Sequence, residues 1–165
     1  MKRLATAHLM RIVMTIVIGV FLTSQMVVAQ AEGIIATAWS PDAGMIAVSG
    51  VDGLLQIRDT SNQIIRTFMG LTTDVSSVDW SPDSTKIVSG GDDGLIYVWD
   101  VNTGQQIGTL AGFGSYIQEV DWSPDGSKII ATGRSIENTL IVWNASTFQQ
   151  IAATFAGDAF GARWS

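Results

Sequence analysis

The string Trp-Ser-Pro-Asp occurs three times in this chain, and its spacing constrains the fold more than any other feature. The copies begin at Trp39, Trp80 and Trp122, and a fourth would begin at Trp164, so the intervals are 41, 42 and 42 residues. A fixed period of this size is typical of repeat architectures, in which each unit buries its apolar face against the next. The sequence therefore predicts a series of similar, stacked units.

Each period contains four short stretches rich in apolar residues, separated by Gly, Pro, Asp and Asn. Short stretches with hairpin-length links are typical of antiparallel β-strands, and Ser-Pro-Asp favours a tight turn because Pro sets φ and Asp bonds its own backbone. No helical period is sustained after residue 31, so we predict an all-β domain. The predicted strands are 34–38, 45–49, 54–59 and 64–68; 75–79, 86–89, 95–100 and 106–110; 116–121, 128–132, 140–144 and 150–155.

A second motif closes the third strand of each period. Residues 95–100 end in Trp99-Asp100, residues 140–144 end in Trp143-Asn144, and residues 54–59 keep the Asp but carry Arg58 in place of Trp. With Trp-Ser-Pro-Asp on the first strand, the chain from residue 32 to 165 resembles the WD-repeat family of β-propellers. The resemblance implies four-stranded antiparallel blades at 32–70, 71–112 and 113–157, and the first strand of a fourth at 158–165.

About three blades plus one extra strand would form an incomplete ring, because a propeller normally closes with roughly four to eight blades. Three blades alone leave apolar sheet faces at both ends. We expect either a fragment of a longer propeller, or self-association in which two chains close one ring. A non-functional truncated remnant is a further alternative.

The resemblance also implies a buried network within each blade. It joins a His before the first strand, a Ser or Thr on the second, an Asp in the next turn and the Trp on the third. The matching residues are Ser89, Asp93 and Trp99 in the second blade, Thr132 (shifted by one position) and Trp143 in the third, and Asp52 in the first. Leu71 and Phe113 stand near the His position, so no blade carries the full set.

The first 31 residues are typical of a secretory signal peptide. An apolar run follows three basic residues, Lys2, Arg3 and Arg11. Small residues then stand at a cleavage site, Ala29-Gln30-Ala31. An uncleaved membrane anchor is the alternative, because the segment is nearly long enough to span a bilayer. We expect cleavage after Ala31, and a secreted or periplasmic protein that does not contact the membrane afterwards.

The charge and composition of residues 32–165 exclude several classes of function. This part has 6 Lys and Arg against 15 Asp and Glu, a net charge of −9, which repels nucleic acid. It contains no Cys, and the only histidine of the chain is His8. Cys/His zinc sites, thiol nucleophiles and imidazole bases are therefore excluded. We expect a non-enzymatic domain without a cofactor or metal.

The loops before each first strand offer the best candidate surface for a partner. WD-type propellers commonly bind partners at one rim, and aromatic and Arg side chains often dominate binding energy. Leu71 and Phe113 could instead fill the space of the missing His. The sequence thus predicts an exported scaffold that binds a protein or peptide. The candidate rim residues are Met69, Leu71, Phe113, Tyr116, Arg134 and Glu137.

Three other patterns have a chemical and a structural interpretation. Carboxylates along the axis could serve a hydrolase, an Asp-Asp-Gly turn could hold calcium, and an Asn-x-Ser sequon could be glycosylated. The structural interpretation, which we favour, treats them as strand and turn residues. The residues concerned are Asp79, Glu119 and Asp121; Asp92, Asp93 and Gly94; and Asn144 with Ser146.

Overall fold

The computed structural model divides the chain into two units, residues 1–32 and 33–165. It describes residues 33–133, 140–155 and 164, all of them in the second unit. The predicted signal peptide lies outside the described residues, as do Arg134, Glu137 and all of the predicted strand at 158–165 except Trp164. No helix within the described ranges is long and apolar enough to cross a bilayer.

The described part of the second unit contains three four-stranded antiparallel sheets, each built from consecutive strands in sequence order. This confirms the all-β, incomplete-propeller prediction, and the strands lie within two residues of their predicted bounds. A short 3-10 turn, Val51–Gly53, links two strands of the first sheet. The blades are β1 (Ile34–Trp39), β2 (Met45–Gly50), β3 (Leu55–Asp59) and β4 (Ile64–Thr67); β5 (Val75–Trp80), β6 (Lys86–Gly91), β7 (Ile96–Asp100) and β8 (Gln106–Leu110); and β9 (Ile117–Trp122), β10 (Lys128–Gly133), β11 (Leu140–Asn144) and β12 (Gln150–Thr154).

The Ser-Pro-Asp segment of each blade forms the turn between its first two strands. In the second blade, Ser81 Oγ donates to Asp83 Oδ1 at 2.6 Å and accepts from Lys86 N at 2.9 Å. The other two blades repeat both bonds, with the serine equally buried. The hydroxyl therefore satisfies the backbone while the carboxylate fixes the hydroxyl, which explains why both residue types recur.

Among the first strands, β5 contacts both β1 and β9, whereas β4, β8 and β12 form the far edges of their sheets. Each sheet has two different faces. We call one the tryptophan face, which in the second blade carries Trp80, Ile87 and Trp99. We call the other the aliphatic face, which there carries Val88 and Val98.

The core of the unit lies between blades and forms two clusters. The tryptophan face of the second blade packs on the aliphatic face of the first, where Ala47, Leu55 and Ile57 are at most 1% exposed. The third blade packs on the second in the same way. Burial at roughly 25 cal/mol per Å² makes these contacts the main source of stability.

Two glycines let the second strand of a blade extend past its predicted end. A Cβ on Gly50 would collide with the carbonyl oxygen of Gly33, and a Cβ on Gly91 with that of Asp74. The backbone thus approaches the start of the first strand more closely than any side chain permits.

Removing the turn hydroxyl of the second blade tests this account of the repeat. Ser81→Ala leaves Lys86 N and Asp83 without their buried partner, so we expect a loss of about 1–3 kcal/mol in the free energy of unfolding. Urea denaturation measures it. Thr85→Ala is the matched control, because Thr85 Oγ1 also donates to Asp83 but at an exposed site. Equal losses in the two variants would contradict the proposed role of Ser81.

Candidate functional site

The loops that precede β3, β5, β7 and β9 lie together at one end of the blades, which we call the loop rim. Asp52 N donates to Asp74 Oδ1 at 3.0 Å, and Asp92 N donates to the carbonyl of Asp74 at 3.1 Å. Gly94 approaches the backbone of Ser115 so closely that a Cβ on it would collide with the Ser115 carbonyl oxygen. These contacts join loops of neighbouring blades into one continuous surface.

The candidate rim residues differ in their availability to a partner. Met69 is 79% exposed, and Tyr116 is half-buried. Leu71 is also half-buried and packs on the core between the first two blades. Placing Phe113 at the exposed rim was wrong, because it is 7% exposed and its ring lies 6.1 Å from that of Trp143. Phe113 fills the space beside the tryptophan.

The loop rim is acidic within the described ranges. Asp52, Asp74, Asp92 and Asp93 lie on it. The basic side chains of those ranges instead donate to turns at the opposite end of the blades. Arg58 donates to Asn62, Arg66 to the carbonyls of Asn102 and Thr103, Lys86 to Thr85, and Lys128 to Ser127.

In the second blade the tryptophan, serine and aspartate of the expected network form two linked contacts. Trp99 Nε1 donates to the buried Ser89 Oγ at 3.0 Å. Asp93 is exposed and accepts from the Tyr97 hydroxyl at 2.8 Å, and the Tyr97 ring lies 6.0 Å from Trp99. Burial, followed by the bond to Asp93, raises the pKa of Tyr97 to about 12. Tyr97 was missed by sequence reasoning.

The expected pairing of Thr132 with Trp143 in the third blade is wrong. Strand register places Trp143 opposite Ile129 and Thr132 opposite Leu140, so the two side chains lie on different faces. Ala131 occupies the position equivalent to Ser89. Thr132 Oγ1 is buried and has no hydrogen-bond partner among the described residues. In the first blade, Asp52 is exposed and contributes its backbone N–H to the rim.

Comparison with known families agrees with this geometry. Residues 62–100 and 104–144 each match the WD40 family model, described as WD domain, G-beta repeat. The chain belongs to the WD-repeat family. A search of curated proteins found no match to it. WD-repeat proteins are generally non-enzymatic scaffolds that bind protein partners.

The axial carboxylates connect neighbouring blades of this WD-repeat chain. Asp79 Oδ2 accepts from Trp122 N at 2.7 Å, and Asp121 Oδ2 accepts from Trp164 N at 2.7 Å. Ser77 makes the same kind of contact between β5 and β9, because its Oγ accepts from Val120 N at 3.1 Å. Each side chain therefore satisfies a backbone donor of the following blade, a relation that only appears once the blades are stacked.

This arrangement disfavours glycoside hydrolysis by the pair. Asp79 and Asp121 are in hydrogen-bond contact with each other, whereas glycosidase carboxylates stand roughly 5–10 Å apart to admit the substrate. Both also hold backbone N–H groups. Glu119, the third candidate, lies on the same face of the third blade as Asp121.

The remaining candidate residues act in turns. Asp93 Oδ1 accepts from Leu95 N at 3.0 Å, and no group of three or more metal-ligating side chains occurs in the described part of the chain. Asn144 Oδ1 accepts from Ser146 N and Thr147 N, both at 2.9 Å. Asp100 makes the equivalent contact with Thr103 N in the second blade.

Asp79 makes stability depend on pH. Burial, assisted by the neighbouring Asp121 carboxylate, raises the pKa of Asp79 to about 7, while the bonds from Trp122 N and Trp80 N oppose the shift. A carboxyl whose pKa is raised on folding favours the fold when protonated, so its contribution is lost as pH rises from about 4 to 7.

We therefore expect Asp79→Asn to be more stable than the wild type at pH 8 and similar to it at pH 4. Asn keeps an acceptor for Trp122 N and carries no charge. Because Asp79 keeps some contact with water, the gain should be about 1–2 kcal/mol. Urea denaturation across this pH range measures it. Asp92→Asn, at an exposed rim position, should retain the wild-type profile, and a retained profile in Asp79→Asn would contradict the assignment.

Proposed function

We propose that the chain is an exported WD-repeat scaffold that binds a protein or peptide partner through the loop rim. The observation that carries the proposal is Met69, whose side chain is 79% exposed on the loop rim that also bears half-buried Leu71 and Tyr116. A large apolar side chain at such exposure is a candidate anchor for a partner, since burying it in a complex removes apolar surface from water.

The charge of the loop rim supports a particular class of partner. Carboxylates share the loop rim with the apolar residues, and complementary charge accelerates encounter and selects among partners. We expect the partner segment to carry an apolar side chain flanked by Lys or Arg. Arg134 and Glu137, proposed on the same rim, lie outside the described residues.

A displayed peptide library selected against the immobilised protein tests this proposal. The combined variant Met69→Ala and Tyr116→Ala should weaken binding of the selected peptides at least ~10-fold, because both side chains contribute contact area on the rim. Ile151→Ala is the matched control, since Ile151 is 53% exposed on the far-edge strand β12. If the selected peptides bound the combined variant as tightly as the Ile151→Ala control, the loop rim would not be their binding site.

Export rests on the N-terminal pattern. Lys2, Arg3 and Arg11, the apolar run and Ala29-Gln30-Ala31 together favour recognition and cleavage by a signal peptidase. N-terminal sequencing of protein recovered outside the cytoplasm should begin at Glu32. A sequence beginning at Met1 would instead show that the segment is retained as an anchor.

A further inference from the structure

The two internal interfaces of the chain show which surfaces complement each other. In both, the tryptophan face of one blade covers the aliphatic face of the preceding blade. Trp80 and Trp99 are 3% and 1% exposed, and Trp122 and Trp143 are 6% and 1% exposed. The same pair of faces therefore packs twice with nearly complete burial.

No blade within the described residues covers the tryptophan face of the first blade in this way. Trp39, opposite Ile46 and equivalent to Trp80, is 59% exposed, and Ile46 is half-buried where Ile87 is fully buried. At the position of Trp99 stands Arg58. Its guanidinium donates to Gln56 Oε1 at 2.9 Å and to Asn62 Oδ1 at 3.0 Å.

The aliphatic face of the third blade is the complementary surface. Ile130, Leu140 and Val142 lie on it and are half-buried. Their counterparts Val88, Ile96 and Val98, which the third blade covers, are 0% exposed. The chain thus presents, at its two ends, the two faces that pack together in its interior.

We propose that a second copy of this chain docks head to tail, with the tryptophan face of its first blade on the aliphatic face of the third. The interface repeats a geometry that the molecule already forms twice. Charge also favours this pairing over two tryptophan faces meeting. Arg58 would approach a face that bears Glu119 and Asp121, whereas two tryptophan faces would bring Arg58 against itself.

Trp164 competes with the second copy for Asp121 on β9, the first strand of the third blade. Its backbone N–H already occupies Asp121 Oδ2 at 2.7 Å, in the manner that Trp122 occupies Asp79. The backbone N–H of the incoming Trp39 would take this place. Trp164→Pro, which removes this N–H together with the ring near Lys128, should therefore strengthen association. Weaker association would show that Trp164 belongs to the docking surface and would overturn this register.

Sedimentation velocity of the purified chain over a roughly hundredfold concentration range tests the docking, since mass action favours the complex at high concentration. The wild type should associate, and Trp39→Ala should weaken association at least ~10-fold. Met69→Ala is the control, because Met69 is more exposed than Trp39 but lies on the loop rim. A monomer at all concentrations, or equal loss in both variants, would overturn the proposal.

The direction of docking is tested by mixing two variants. Trp39→Ala impairs the tryptophan face, and Val142→Lys places a cation on the aliphatic face, where it would oppose Arg58. Each variant alone should stay monomeric, while their mixture should form a heterodimer through the two intact faces. If Val142→Lys still dimerised alone, its two tryptophan faces would be in contact with each other, and head-to-tail docking would be overturned. Circular dichroism of each variant confirms that it is folded.

Discussion

Each sheet of this molecule depends on a neighbouring sheet to bury its faces. A four-stranded sheet of about five-residue strands cannot enclose a core, and here the tryptophan face of one blade is covered only by the aliphatic face of the blade before it. Where the pairing is complete, Trp99 and Trp143 are 1% exposed; where it is absent, Trp39 is 59% exposed. The replacement of the third-strand tryptophan by Arg58 fits the same rule, since Arg58 lies beside Ile46 on the face that no other described blade covers.

The family match shows how covalent connection reinforces this packing. Residues 62–100 and 104–144 do not coincide with blades. Each spans the far-edge strand of one blade and the first three strands of the next: β4 with β5–β7, and β8 with β9–β11. A repeat therefore begins in one blade and ends in the following one. Two neighbouring blades cannot separate without distorting a repeat.

The two aspartates on β5 and β9 combine stabilising hydrogen bonds with an electrostatic cost. Asp79 provides an acceptor for Trp122 N, and Asp121 does the same for Trp164 N. Burial disfavours ionisation of Asp79, and the neighbouring Asp121 carboxylate adds to this effect, which is why the pKa of Asp79 rises. The turns show the opposite balance. Bonds from Ser81 and then Thr85 lower the pKa of Asp83 to about 2, since they stabilise the charged form. Identical residue types thus acquire opposite charge preferences from their place in the blade.

The sequence by itself determined the period, the strands, the Ser-Asp turns and the family, because these depend on local chemistry repeated about every 42 residues. Only the tertiary structure decided which face each side chain occupies and what covers it. Residue type favoured Thr132 as the counterpart of Ser89, one position beyond the repeat spacing, but the β10–β11 register turns Thr132 away from Trp143. Phe113 resembled an exposed aromatic anchor until packing placed it beside Trp143. The contact between Asp79 and Asp121 joins residues a full period apart, and no local pattern encodes such proximity.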